Sequence, residues 1–206
     1  FEECWSLTGP LVIPSSIGII REMTFKGCSG FSSLILPNGL TKIESNAFAL
    51  CMGMKGELVL PSSLVSIDDG AFGRCGFSGN LVLPNTLMSL GGFAFDGCAR
   101  LSGVIEIPTS LTIIEGRTFD GCSGITGVVF PSTINFIGDY AFNDCTSISS
   151  LVCNATTPPY LSSNVFSGVG KDNLSLEVPE ESITEYSLSP GWNEFLRIAA
   201  HRDFSI

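Results

Sequence analysis

Eight cysteines and a single histidine are the residues of this 206-residue chain with the most reactive chemistry to offer. Seven of the cysteines, Cys4, Cys28, Cys51, Cys75, Cys98, Cys122 and Cys145, recur every 23 or 24 residues. If such a repeat stacks as parallel strands, equivalent Cβ atoms sit about 4.8 Å apart and point the same way. A disulfide needs converging Cβ atoms nearer about 3.8 Å, so the spacing argues against a ladder of bridges. No C-x-x-C or Cys/His cluster occurs, which leaves zinc without a ligand set. A thiol or serine nucleophile would need His201 as its base, and His201 lies in the tail, away from any nucleophile motif. The thiols therefore read as small buried hydrophobes.

The carboxylates give no stronger signal. Asp96, Asp120 and Asp144 fall at neighbouring places in successive repeats. Calcium takes roughly six to eight oxygens, commonly from a D-x-D-x-D loop, which is absent here, so a solvated acidic corner is expected. Glu57 and Glu106 would stand about 10 Å apart on strands two turns removed. Glycosidic chemistry needs two carboxylates flanking a cleft, and an open solenoid surface offers no walls. The N-x-S/T matches at Asn154 and Asn173 would matter only in a eukaryotic secretory pathway.

What repeats is an architecture. "FDGC" stands at residues 95–98 and again at 119–122, and phenylalanine recurs at Phe1, Phe25, Phe48, Phe72, Phe95, Phe119, Phe142 and Phe166. The first seven are each followed three residues later by the cysteine, and prolines recur at Pro14, Pro37, Pro61, Pro84, Pro108 and Pro131. From proline to the next phenylalanine is always 11 residues, while cysteine to proline alternates between 10 and 9. A fixed period of this length is the signature of a solenoid. In "GELVLPSSLVSIDDGAF" (56–72), Leu58 and Leu60 alternate with Val59, the two-residue period of a strand with one face inward. Pro61 ends the pairing. Leu64 and Ile67 return across the core, Asp68–Gly70 makes a polar turn, and Phe72 with Cys75 closes the coil. Gly27, Gly76, Gly97 and Gly121 suit tight corners. Cys153 replaces the core residue that precedes proline in other turns.

The predicted fold is thus a β-rich leucine-rich-repeat solenoid of 23/24-residue turns with short parallel strands, few short helices and a C-terminal helical cap. Residues 1–166 form the array, and 167–206 cap it within the same domain. In the cap, Pro179, Glu180 and Glu181 suit a helix start, and Trp192, Phe195 and Ile198 are spaced for one helical face. The chain opens mid-repeat at "FEEC", so further sequence is expected upstream.

Composition narrows the partners. Hydrophobic residues make up 44% and charged residues 15%, which suits a continuous core and excludes intrinsic disorder. Twenty acidic against ten basic residues give a net charge of −10, unsuited to nucleic acid or anionic membranes. No apolar run is long enough to span a bilayer.

The unit F-x-x-C…L-x-L-P…L-x-x-I…A-F, with the ending "TPPYLSSNVF…VPEESITEYSL…GWNEFLRI", resembles the BspA-like leucine-rich repeat family over essentially residues 1–166. The resemblance implies a curved parallel-sheet solenoid on secreted or cell-surface bacterial proteins, with adhesion or protein binding as the role. It implies no catalytic residue and no cofactor. Solenoids of this kind bind through the exposed sheet face. Here the outward residue of each strand is Val12, Ile35, Val59, Val82, Glu106, Val129 and Val152, a largely β-branched stripe about 30 Å long. Ser33, Glu57, Asn80, Gly127 and Ser150 lie beside it, and Glu106 is its one charged interruption. The expected function is non-catalytic recognition of a host surface or matrix protein, with glycan as the second partner class. The alternative is a scaffold segment displaying another domain, in which the valines merely suit pleated strands.

Overall fold

A column of aromatic rings runs the length of the molecule. In the computed structural model, which describes residues 1–172 and 174–201, the rings of Phe1, Phe25, Phe48, Phe72, Phe95, Phe119, Phe142 and Phe166 stack nearly parallel. Their centroids are 5.3 to 5.7 Å apart. Each ring is one corner of a coil, and the repeat period is the chain length needed to return to it.

Two left-handed residues make that corner. The residue two before each phenylalanine, from Met23 through Asn46, Gly70, Phe93, Arg117 and Tyr140 to Asn164, has φ of 53° to 63°. The residue two after it is left-handed too: φ is 68° at Gly97 and 71° at Gly121, and also positive at Glu3, Leu50, Arg74 and Asp144. Glycine adopts this conformation without steric cost, which explains the third letter of "FDGC". Gly76 acts differently. A Cβ there would lie 2.3 Å from the carbonyl oxygen of Met52 in the preceding turn, so only glycine lets the two backbones meet.

Parallel strands line two faces of the coil. On the first, Gly9–Val12 pairs with Phe31–Ile35. After a gap, Gly79–Asn80, Leu101–Glu106, Ile125–Phe130, Ser150–Cys153, Ser175–Val178 and Arg197–Ala200 form one six-stranded parallel sheet. On the second face two-residue strands stack, from Ile19–Ile20 to Ser89–Leu90 and again from Ile113–Ile114 to Tyr160–Leu161. One core fills the space between the faces, with Leu40, Leu64, Leu87, Leu111 and Ile134 occupying one repeated place.

Two expectations need correction. The segments around Val59 and Val82 have the alternating burial of strands, yet Leu58–Leu60, Val82 and Leu83 make no backbone hydrogen bond to a neighbouring turn among the described residues. Both segments are entered through a glycine with left-handed φ, Gly56 at 84° and Gly79 at 90°. The ladder lapses after Lys55 N–H to Ser32 O, after Ser78 N–H to Gly56 O, and after the pairing of Gly79–Asn80 with Leu101 and Ser102. In the cap, Ile183–Leu188 is the only α-helix among the described residues, entered through the 3-10 turn Glu180–Ser182 after Pro179. Ile198 lies on the strand Arg197–Ala200 instead of a helix, because Ser175–Val178 offers an edge to pair with. Trp192 and Phe195 are buried against Phe166 and end the aromatic column.

Candidate binding face

The cysteines staple the coil. The thiols of Cys28, Cys51, Cys75, Cys98, Cys122 and Cys145 each donate to the carbonyl oxygen of the phenylalanine one turn back, at 2.9 to 3.1 Å. Sequence reasoning placed them in the core but missed this bond, which only the stacked geometry creates. Burial pushes Cys51, Cys98 and Cys145 up to about 12 from an ordinary 9.0. The reactive thiolate is thus suppressed. Cys153 is buried as expected, and its sulfur accepts the Tyr186 hydroxyl.

The acidic corner is less solvated than expected. Asp120 is buried, 3.0 Å from an Arg117 guanidinium nitrogen, and accepts the Asn143 side-chain amide at 2.8 Å. Arg117 itself lies between the rings of Phe93 and Tyr140, 5.7 and 4.7 Å from their centroids. Burial, then the Asp120 charge, raises the Asp96 carboxyl above its usual range. Among the described residues no group of three or more His, Cys, Asp and Glu is placed to hold a metal. His201 has interactions of its own near the end of the cap, and Asn173 lies outside the described residues.

The predicted stripe is present as a row. Parallel register places Val12 beside Ile35 and aligns Glu106, Val129 and Val152. Exposure along it is uneven: 59% at Val12, 54% at Ile35, 70% at Val59 and 65% at Val82, but Val129 and Val152 are half-buried. Two members escaped the sequence reading. Register continues the row from Val152 to Glu177, hidden because the spacing there is no longer 23 or 24 residues. Val104, exposed, takes the place beside the row that Glu57 and Asn80 hold in earlier turns. Its place two residues before Glu106 matches that of Glu57 before Val59 and Asn80 before Val82, so the two-residue strand period was the signal that could have found it.

Between the fourth and fifth turns this face opens into a groove of about 470 Å³. Asn80, Val82 and Asn85 line one wall; Val104, Glu106 and Thr109 line the other. The Glu106 carboxylate has no ion-pair or hydrogen-bond partner among the described residues, unlike Glu44, Asp68, Asp96 and Asp120.

A stack of short parallel strands, each turn closed by an aromatic corner and filled by leucine and isoleucine, defines a leucine-rich repeat solenoid. The chain belongs to the BspA type: the BspA type leucine rich repeat region matches in six copies, over residues 1–126, 51–171 and 104–189. Solved structures agree on the fold. A leucine-rich repeat protein from Bacteroides ovatus is 20% identical with a TM-score of 0.59, covering 98% of this chain and 62% of its own. This chain therefore spans less than two thirds of that protein. The T. pallidum leucine rich repeat protein (TpLRR) is 28% identical with a TM-score of 0.63, over 72% of this chain and 68% of that one. No curated protein matches the chain. The repeat family points to a protein-interaction or surface module, and leucine-rich repeat solenoids are typically non-catalytic. No helix among the described residues is long and apolar enough to cross a membrane.

Proposed function

We propose that this chain is a non-catalytic recognition module, displayed at the cell surface or secreted, that binds a protein through its first sheet face. The observation that carries this is the row Val12, Ile35, Val59 and Val82, where four β-branched side chains more than half exposed follow one another on successive turns. A folded surface leaves such a contiguous apolar strip uncovered at a cost unless something docks on it. Glu106, Val129 and Val152 continue the site toward the cap. A host surface or matrix protein is the partner class, because the acidic balance of the chain disfavours anionic polymers.

Biolayer interferometry against purified matrix proteins and glycans tests the reading, with a Val59→Lys/Val82→Lys variant shown by circular dichroism to be folded. Binding by the parent and loss in the variant is the expected result. Equal binding by both moves the site off this face. Silence across the panel favours the scaffold reading.

A further inference from the structure

The first face carries one feature that an apolar strip does not require. We propose that the groove between the fourth and fifth turns is a pocket for a single arginine or lysine side chain of the partner, inserted from an extended segment whose neighbouring residues cover the valine row. This rests on the face being the binding site and specifies what the partner must present.

Three observations converge on that chemistry. The walls are apolar at Val82, 65% exposed, and Val104, 44% exposed, which suits the methylene stem of a long basic side chain. The rim holds the Glu106 carboxylate, which has no cationic partner among the described residues, and no basic residue among them lines the groove. Elsewhere an acid next to a basic residue one turn away is paired, as Glu44 is with Arg21 and Asp68 with Lys42. Finally, the ladder lapses here: the carbonyls of Val82 and Leu83 accept no inter-turn hydrogen bond among the described residues, and the side-chain amides of Asn80 and Asn85 are likewise unengaged. A guanidinium carries five N–H donors and no acceptor, so a wall of free carbonyl and amide oxygens beside one carboxylate complements it. Acidic Glu57 and Glu177, exposed or half-exposed on the same face and without an ion-pair partner among the described residues, extend a field that favours basic segments. An acidic partner meets repulsion at each of these places.

The test uses the whole chain, 15N-labelled, titrated with the synthetic peptides Ac-STVRVTS-NH2 and Ac-STV(Cit)VTS-NH2. Citrulline keeps the shape of arginine and removes its charge. The arginine peptide is expected to shift the amides of residues 81–83 and 104–107 and to bind at least tenfold more tightly than the citrulline peptide. Glu106→Gln should erase that difference while leaving the citrulline affinity unchanged. Val59→Ser, outside the groove and uncharged, should weaken both peptides equally. Equal affinity of the two peptides for the parent overturns the pocket, and if Val59→Ser still weakens both, the binding face survives without it. Shifts mapping elsewhere, or no binding of the arginine peptide at millimolar concentration, also overturn it.

Discussion

Val82 and Val129 hold the same place in the repeat, yet Val82 is 65% exposed and Val129 is half-buried. Around Val129 the ladder is complete on both sides, to Glu106 and to Val152. Around Val82 it is missing. Hydrogen-bonded strands sit about 4.8 Å apart, close enough for each outward side chain to cover part of its neighbour. The corner shows no such divide, since the phenylalanine column and the thiol bonds pass through both regions unchanged. The repeat thus secures the corner everywhere, while the ladder varies from turn to turn. A solenoid so built can keep its core continuous and still vary one face for recognition.

If the corner is the common support, breaking it should cost the same in both regions. Phe72→Ala and Phe119→Ala each remove a fully buried ring with two stacked neighbours. Each should lose about 3–5 kcal/mol of stability, read from urea midpoints. A much smaller loss at Phe72 would mean that the missing ladder has already loosened the corner there.

Alkali tests the thiols in both regions together. The thiols of Cys51, Cys98 and Cys145 hold their protons to about 12, whereas in the unfolded chain they release them near 9.0. A folded pKa raised above the unfolded one gives stability that is intact below pH 9 and lost as pH rises toward 12, because the unfolded state sheds protons first. Each such thiol should cost on the order of 1 kcal/mol per pH unit in that window. Cys98→Ala should remove one share of the slope. A flat profile from pH 8 to 11 would contradict the buried thiol ladder.

The corner was legible in the sequence because it depends on residue types at fixed spacing: Phe95, Gly97 and Cys98 recur as Phe119, Gly121 and Cys122. The row was legible for the same reason, since the leucine–valine alternation around Val59 fixes which side chains point out. The missing ladder was not, because a left-handed glycine precedes the paired strands at Gly9 and Gly103 as well as the unpaired segments at Gly56 and Gly79, so no residue type marks which turns pair. The groove follows from that lapse. Val104 follows from the two-residue strand period, whereas Glu177 joins the face through register, which changes wherever the turn length does. The thiol-to-carbonyl bonds link residues 26 or 27 positions apart, and no local pattern announces them.

A smaller effect separates the corners within each region. Arg74 and Gly121 hold the same left-handed position, with φ of 56° and 71°. A side chain there costs about 1–2 kcal/mol that glycine avoids. Arg74→Gly should therefore gain up to about 1 kcal/mol, less the weak, exposed contact of Arg74 with Asp96. Gly121→Ala should lose a similar amount. Opposite signs in thermal melts support the shared corner, and the same sign for both would refute it.

The smallest change in stability, and the sharpest view of the divide, comes from the face itself. Amides of residues 59, 82 and 83 should exchange with deuterium through local opening alone, while those of residues 128–130 and 151–153 should approach the protection of global unfolding. Val82→Thr should then change stability by no more than about 0.5 kcal/mol, since its side chain faces water and its backbone holds no neighbour. Val128→Thr buries a hydroxyl inside the complete ladder and should cost about 1–3 kcal/mol. Strong protection at residue 82 would mean that the ladder closes there in solution. The groove would close with it, so the exchange pattern and the peptide titration must agree: an open seam that prefers the arginine peptide, or a closed one that shows no preference between the two.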